Sequence, residues 1–265
     1  MRNRVIFILM TMVVLADVGT KAATPITLPQ GAKAGVYVAY EGLKSSGNYV
    51  DNVCLTFDGS NWSADNKLMW KDGDSYAYFY AYYPYAEDVK DATALPFSVK
   101  TDQSTADAYQ ASDFLYGKYG GNPHDGLPKS VLQHGMANIV VNVKAGNGFT
   151  ENELKQGNLS VHVKNVYMQA NVNLENGGVT ASGSVGGIKA YATSALSFSA
   201  IVVPQEVRKL SVVWNNVEYD LGFSQYCDKG KLYTLTATLK KTSGGISVTI
   251  GGWEDSGEDF GGTVQ

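Results

Sequence analysis

Apolar residues recur at every second position through most of this chain, in runs too short and too often broken by Gly, Asn, Asp and Ser to form helices. Val36, Val38 and Tyr40 share one side of an extended segment, and Val53, Leu55 and Phe57 one side of the next. Ile139, Val141 and Val143 alternate with Asn138 and Asn142, and Leu159, Val161 and Val163 with Ser160, His162 and Lys164. Leu196, Phe198, Ala200 and Val202 alternate mainly with serines before Pro204. Successive side chains of a strand point to opposite faces, so each run predicts a strand with an apolar face, and the 159–164 run a second face wetted by solvent. Asn215-Asn216 separates Leu210, Val212 and Trp214 from Val217, Tyr219 and Leu221. Asn tolerates positive φ, so this pattern predicts a tight hairpin. Tyr233, Leu235, Ala237 and Leu239 predict another strand, returned by the turn Lys240–Gly245 through Ile246, Val248 and Ile250. Beyond residue 24 almost nothing reads as helix. The fold class is all-β, with antiparallel sheets packed as sandwiches.

The densest cluster of Gly, Pro, Asn and Asp is Tyr119–Lys129 (YGGNPHDGLPK), which predicts a linker or long loop. Cutting the 265 residues there predicts two β-sandwich domains in tandem, 23–127 and 128–265, each of ordinary size for the class. The first 22 residues read differently. Arg2 and Arg4 precede the apolar stretch Val5–Leu15, which ends at the small residue Ala16. Such a stretch falls short of the about 20 residues a spanning helix needs and matches an export signal. The competing reading is a buried N-terminal strand.

Charge and chemistry narrow the function. The net charge is −4 with three Arg (Arg2, Arg4 and Arg208) and no basic run, which excludes nucleic acid as a partner. Cys54 and Cys227 match no metal spacing and read as buried structural thiols, with a bridge between them the alternative in an exported chain. His124, His134 and His162 stand in no catalytic or metal motif, and neither a nucleophile elbow nor a phosphate loop occurs. Only a site assembled from distant loops would make the chain a secreted hydrolase. The acidic stretch Glu254–Asp259 lacks the spacing of a calcium loop and reads as a solvated tail. No catalytic residue, metal ligand or cofactor is expected.

The most unusual local feature is the run from Tyr76 to Tyr85. On a strand, Tyr76, Tyr78, Tyr80 and Tyr82 line one face, while Ala77, Phe79, Ala81 and Tyr83 line the other. The tyrosine stripe is either a stacking platform for sugar rings or a protein partner, or part of a sheet packed on both faces.

Several of these segments together are similar to the bacterial fimbrillins of the Bacteroidetes. The resemblance is carried by Trp70-x-x-Gly73 followed by Phe79–Tyr85 (FYAYYPY), by Leu95–Val99, and by Thr101-Asp102-Gln103-Ser104. It continues in Ser112–Gly117 (SDFLYG), in Val131–Ile139 (VLQHGMANI), and in the Tyr233–Ile250 hairpin with Trp253. It implies two transthyretin-like sandwich domains and a non-enzymatic subunit of a fimbria, as stalk, anchor or tip, displayed at the outer membrane and supporting adhesion. The implied partners are other fimbrillin subunits, of the same or another kind, together with a host protein or glycan. In the family a trypsin-like protease removes an N-terminal strand, and the exposed groove accepts a strand from the next subunit. Residues 24–40 are therefore expected to form a removable edge strand. A donor seating four apolar side chains would gain about 6–12 kcal/mol before association costs.

Three places depart from the family pattern. Val14-Leu15-Ala16 resembles the start of a lipobox, but Asp17 stands where the acylated Cys would be. The maturation protease would find Lys21-Ala22, or Lys33 as a later site, in place of Arg. The tail from Trp253 is acidic and Gly-rich, which favours an accessory or terminal subunit and leaves Ile246, Val248 and Ile250 as the candidate donor strand. The alternative to a polymer subunit is a secreted glycan-binding adhesin on the same fold.

Overall fold

The computed structural model describes residues 6–7, 11–14, 28–65, 68–126, 128–243, 245–250 and 254–259. In chain order the strands begin β1 (Ile6–Phe7), β2 (Thr11–Val14), β3 (Lys33–Ala39), β4 (Val50–Phe57), β5 (Trp62–Ala64), β6 (Leu68–Met69) and β7 (Ala77–Tyr83). They continue with β8 (Leu95–Ser98), β9 (Leu115–Gly121), β10 (Lys129–His134), β11 (Ala137–Ala145), β12 (Leu159–Asn173) and β13 (Gly178–Lys189). The remainder are β14 (Tyr191–Ser194), β15 (Ser197–Val202), β16 (Gln205–Trp214), β17 (Val217–Cys227), β18 (Lys231–Thr242), β19 (Gly245–Ile250) and β20 (Glu254–Asp259). Two short helices, α1 (Ala106–Gln110) and α2 (Glu151–Gln156), interrupt them. The protein is all-β, as the alternation requires. The α2 helix escapes that pattern because its signal is a cap: Thr150 and Glu153 form a reciprocal capping box.

One sheet has seven strands in the order β2-β10-β9-β7-β3-β4-β5, and β1 pairs separately with β6. A second sheet runs β14-β15-β11-β18-β19, with β20 also on β18, and a third runs β13-β12-β16-β17, with β8 also on β12. Apolar faces of the second and third sheets share one core, in which Ile139, Val141 and Leu235 meet Val161, Val163 and Leu210. The first sheet is buried on both sides. Tyr37, Tyr80 and Tyr82 join that large core, while Val36, Val38, Ala77, Phe79 and Ala81 form a second core with Trp62 and Trp70. The alternation within FYAYYPY thus divides its side chains between two cores.

Sheet membership changes between His134 and Ala137, because β10 pairs with β9 and β2 while β11 pairs with β15 and β18. The Gly/Pro-rich segment ahead of it is shorter as a loop than expected: Tyr119–Gly121 end β9, a 3-10 turn at Pro123–Asp125 capped by Asn122 follows, and Lys129 opens β10 in the same sheet. In the other direction β8 adds to the third sheet, with Leu95–Ser98 opposite Gln169–Val172. Two pairings depart from the antiparallel expectation: β11 runs parallel to β18, and β10 parallel to β2. Parallel neighbours need long connections, and the β11-to-β18 connection contains β12, β13, β16 and β17 of the third sheet. The predicted hairpin is present, with Asn215 at φ 50°, Asn216 at φ 64° and Trp214 opposite Val217.

Candidate functional site

The expected removable strand is not where the sequence placed it. Strand β3 lies centrally, hydrogen-bonded to β4 along one margin and to β7 along the other, and every residue from Ala34 to Ala39 is buried. Stripping it would split the sheet. The strands at the ends of the order are β5 and β2, and the residues of β2 belong to the apolar stretch read as an export signal. Its register on β10 is Thr11 with Lys129, Met12 with Ser130, Val13 with Val131 and Val14 with Leu132.

Strand β10 pairs four of its six residues with this partner. Its ladder with β9 covers only Gln133 and His134, next to the Gly135 N–H bond to the Phe114 carbonyl (2.6 Å). Lys129–Leu132 pair with β2. Within that stretch Ser130 and Leu132 are buried, and Leu132 belongs to the second core. Unpaired strand margins beside apolar surface are templates for a further strand. Sequence reasoning missed these four residues, although its competing reading of Val5–Leu15 as a strand pointed towards them.

Of the candidate maturation residues, Lys21 and Ala22 lie outside the described residues. Lys33 is exposed at the first position of β3, where its carbonyl accepts from the Tyr85 N–H at 2.9 Å. The candidate donor residues lie on β19, antiparallel to the Ala237–Thr242 stretch of β18. Ile246 and Val248 are half-buried against the large core, and the side chain of Ile250 lies outside the described residues. Glu254–Asp259, read as a solvated tail, forms β20, paired with the Lys231–Thr234 stretch of β18. Pairing through the backbone needs no apolar side chain.

The tyrosine stripe divides by depth. Tyr76 is exposed and Tyr78 half-buried, the two meeting edge to face at 5.3 Å, whereas Tyr80 and Tyr82 are fully buried. Tyr82 stacks between Tyr37 and Phe114, its hydroxyl donating to Asn52 Oδ1 at 2.7 Å, and burial pushes its phenol well above the usual range. The Lys118 ammonium lies 4.7 Å above the Tyr78 ring and 4.9 Å above that of Tyr80. A flat four-ring platform is not formed.

The histidines are dispersed. His124 lies 3.2 Å from Asp74 at the surface, and buried His134 is 2.7 Å from Asp113. His162 is 3.2 Å from Ser160 on the same strand face, and burial lowers its imidazole pKa. That face is a charge ladder, in which Glu218 accepts from Ser211 and pairs with Lys164. Among the described residues no group of His, Cys, Asp and Glu could hold a metal, and no helix is long and apolar enough to cross a membrane. Cys54 and Cys227 are free thiols on β4 and β17.

Several motif residues turn out to be buried polar joints. The Gln103 amide accepts from the Ile201 N–H at 2.9 Å and donates to the Ile201 carbonyl at 2.8 Å. The Ser112 hydroxyl accepts from the Lys100 N–H and donates to the Ala108 carbonyl. Asn138, Ser199 and the Tyr109 hydroxyl close a triangle of hydrogen bonds at 2.7–2.9 Å, tying α1 to the second sheet. Trp70 meets Phe79 edge to face in the second core.

A model of the fimbrillin-like family matches residues 20–253, and the chain belongs to that family. Among solved structures it is similar to a candidate cell adhesion protein of Bacteroides ovatus, at 20% identity and a TM-score of 0.70, over 96% of this chain and 98% of that one. A candidate cell adhesion protein of Bacteroides uniformis gives the same values. A fimbrial protein of Bacteroides ovatus is similar at 20% identity and a TM-score of 0.56, over 94% of this chain and 50% of that one. At such identity these likenesses establish a shared fold. No functionally curated protein sequence matches the chain.

Proposed function

We propose that the chain is an exported, non-enzymatic subunit of a cell-surface pilus, joined to its neighbours by strand exchange at the β2 position. Membership of the fimbrillin-like family supports the pilus role, as do similar structures called fimbrial or candidate adhesion proteins. The observation that carries the mechanism is the ladder of Lys129–Leu132, which β2 supplies. Loss of the N-terminal segment, with the export signal that contains β2 or by cleavage at Lys21-Ala22 or after Lys33, would separate β2 from a β3 that stays locked between β4 and β7. The vacated margin of β10 then offers backbone donors and acceptors beside Leu132, which a strand from another fimbrillin subunit satisfies. Ile246, Val248 and Ile250 are the donor this chain itself offers, released from the margin of β18. A donor burying four apolar side chains gains about 6–12 kcal/mol before association costs.

Limited trypsin treatment of the purified chain tests this reading. Loss of the N-terminal segment accompanied by a ladder of SDS-resistant oligomers is the expected result. A trimmed product that stays monomeric, alone and with other fimbrillin subunits, refutes it.

A further inference from the structure

The loop joining β3 to β4 holds a second site, unrelated to strand exchange. Tyr40, Glu41, Lys44 and Tyr49, together with Lys71 from a neighbouring loop, line an open pocket of about 260 Å³. The loop is fixed by its own hydrogen bonds. Gly47 and Asn48 N–H groups donate to the Asp51 carboxylate at 2.8 and 3.2 Å, and the Lys44 N–H donates to Asn48 Oδ1 at 2.9 Å. The Leu43 N–H donates to Glu175 at 2.8 Å, which anchors the loop to the β12–β13 turn. Across the pocket the Lys71 N–H donates to the Tyr40 hydroxyl at 2.6 Å. The walls are therefore set before any ligand arrives.

Tyr49 is 47% exposed at the rim of this constrained loop and is braced edge-on by Tyr40 at 5.1 Å. Its free face is a rigid stacking surface. The charges around it are unequal. Glu41 is shared with Lys44 at 3.9 Å, while the Lys71 ammonium lies 5.5 Å above the Tyr40 ring and enters no ion pair among the described residues. The Tyr40 hydroxyl, already accepting from Lys71, keeps its own proton for donation. The volume lies just below the roughly 300–1,000 Å³ of drug-sized sites, which suits one ring. An apolar face, a hydroxyl donor, a carboxylate acceptor and an ammonium outside any ion pair among the described residues together match a sugar ring bearing an acid group.

We propose that this pocket binds a single carboxylated pyranose of a surface glycan, its C–H face on Tyr49 and its carboxylate against Lys71. The chemistry is shared by uronic and sialic acids, and the test separates them. The purified chain is titrated with D-glucuronic acid, N-acetylneuraminic acid and D-glucose by saturation-transfer NMR. Saturable binding of at least one acid is expected, with glucose weaker by about tenfold or more. Tyr49→Ala and Lys71→Gln should each weaken acid binding about tenfold without lowering the melting temperature, and Lys71→Gln should erase the preference over glucose. The proposal is overturned if neither acid saturates, if glucose binds as well as the acids, or if either variant binds as the parent does. A variant that loses sugar binding but still forms trypsin-induced ladders separates this site from the pilus reading.

Discussion

Replacing Gln103 by alanine tests how the two halves of the chain are held together. The Gln103 side chain is fully buried and acts as a substitute peptide group: it accepts from the Ile201 N–H and donates to the Ile201 carbonyl. Ile201 is itself buried, so those groups lose their protein partner once the amide is gone. A buried donor or acceptor left unpaired costs about 1–3 kcal/mol, so the two together cost about 2–6 kcal/mol. That is a large share of the 5–15 kcal/mol that typically separates native from unfolded states. Urea unfolding should show a midpoint lowered to match, with an unchanged slope. Gln103→Glu supplies a second, pH-dependent arm. Burial disfavours the ionised carboxylate, so its folded pKa lies above the unfolded value of about 4.3. The variant should be most stable below that value, where the protonated acid again donates to Ile201, and should lose stability as pH rises through the folded pKa. A Gln103→Ala loss under about 1 kcal/mol, or a Gln103→Glu variant equally stable at pH 4 and pH 8, would refute the reasoning.

The Glu153 carboxyl is held down at about 2, against an ordinary 4.5, first by the Lys241 ammonium at 2.8 Å and then by the Thr150 N–H and hydroxyl. A depressed folded pKa contributes stability that is present above the unfolded value and lost as pH falls towards 2; an NMR titration of Glu153 should follow that course, and Lys241→Met should raise its midpoint. In the β16–β17 hairpin, Asn216→Gly should preserve or slightly raise stability, whereas Asn216→Val should cost about 1–2 kcal/mol because a β-branched residue resists φ 64°; thermal unfolding reads both. Burial pushes the Cys227 thiol up to about 12 and that of Cys54 up less far, so maleimide at pH 8 should label Cys54 first and Cys227 only in denaturant. Failure of both to label in denaturant would mean a disulfide and would contradict the free thiols.

Strand faces were legible in the sequence, but strand neighbours were not. Alternation alone sorted Ala77, Phe79 and Ala81 from Tyr78, Tyr80 and Tyr82, and the structure sends those two sets to different cores. The period-two pattern fixes which side chains share a face and leaves a strand's rank in the sheet open. Nothing in Leu95–Ser98 names β12 as its partner, and nothing in the β11 pattern announces a parallel neighbour more than ninety residues onwards. One clue to rank was present. After Lys33, β3 reads Ala-Gly-Val-Tyr-Val-Ala with no charged residue on either face, the composition of a strand covered on both sides, which argued against an edge position. At the site, nothing in the sequence marks the polar motif residues Gln103 and Ser112 as buried, and only the packing shows them completing buried backbone bonds. The pocket at Tyr49 was invisible because Tyr40, Glu41, Tyr49 and Lys71 form no contiguous motif and meet only through the fold of two loops.

Hydrogen exchange across Lys129–Leu132 reads whether β10 relies on a borrowed strand. A chain beginning at residue 23 lacks β2, so these amides should exchange fast in the monomer and become strongly protected once oligomers form or a donor strand is added. Equal protection in the monomer, with no change on assembly, would mean that β10 needs no borrowed strand and that strand exchange does not occur there.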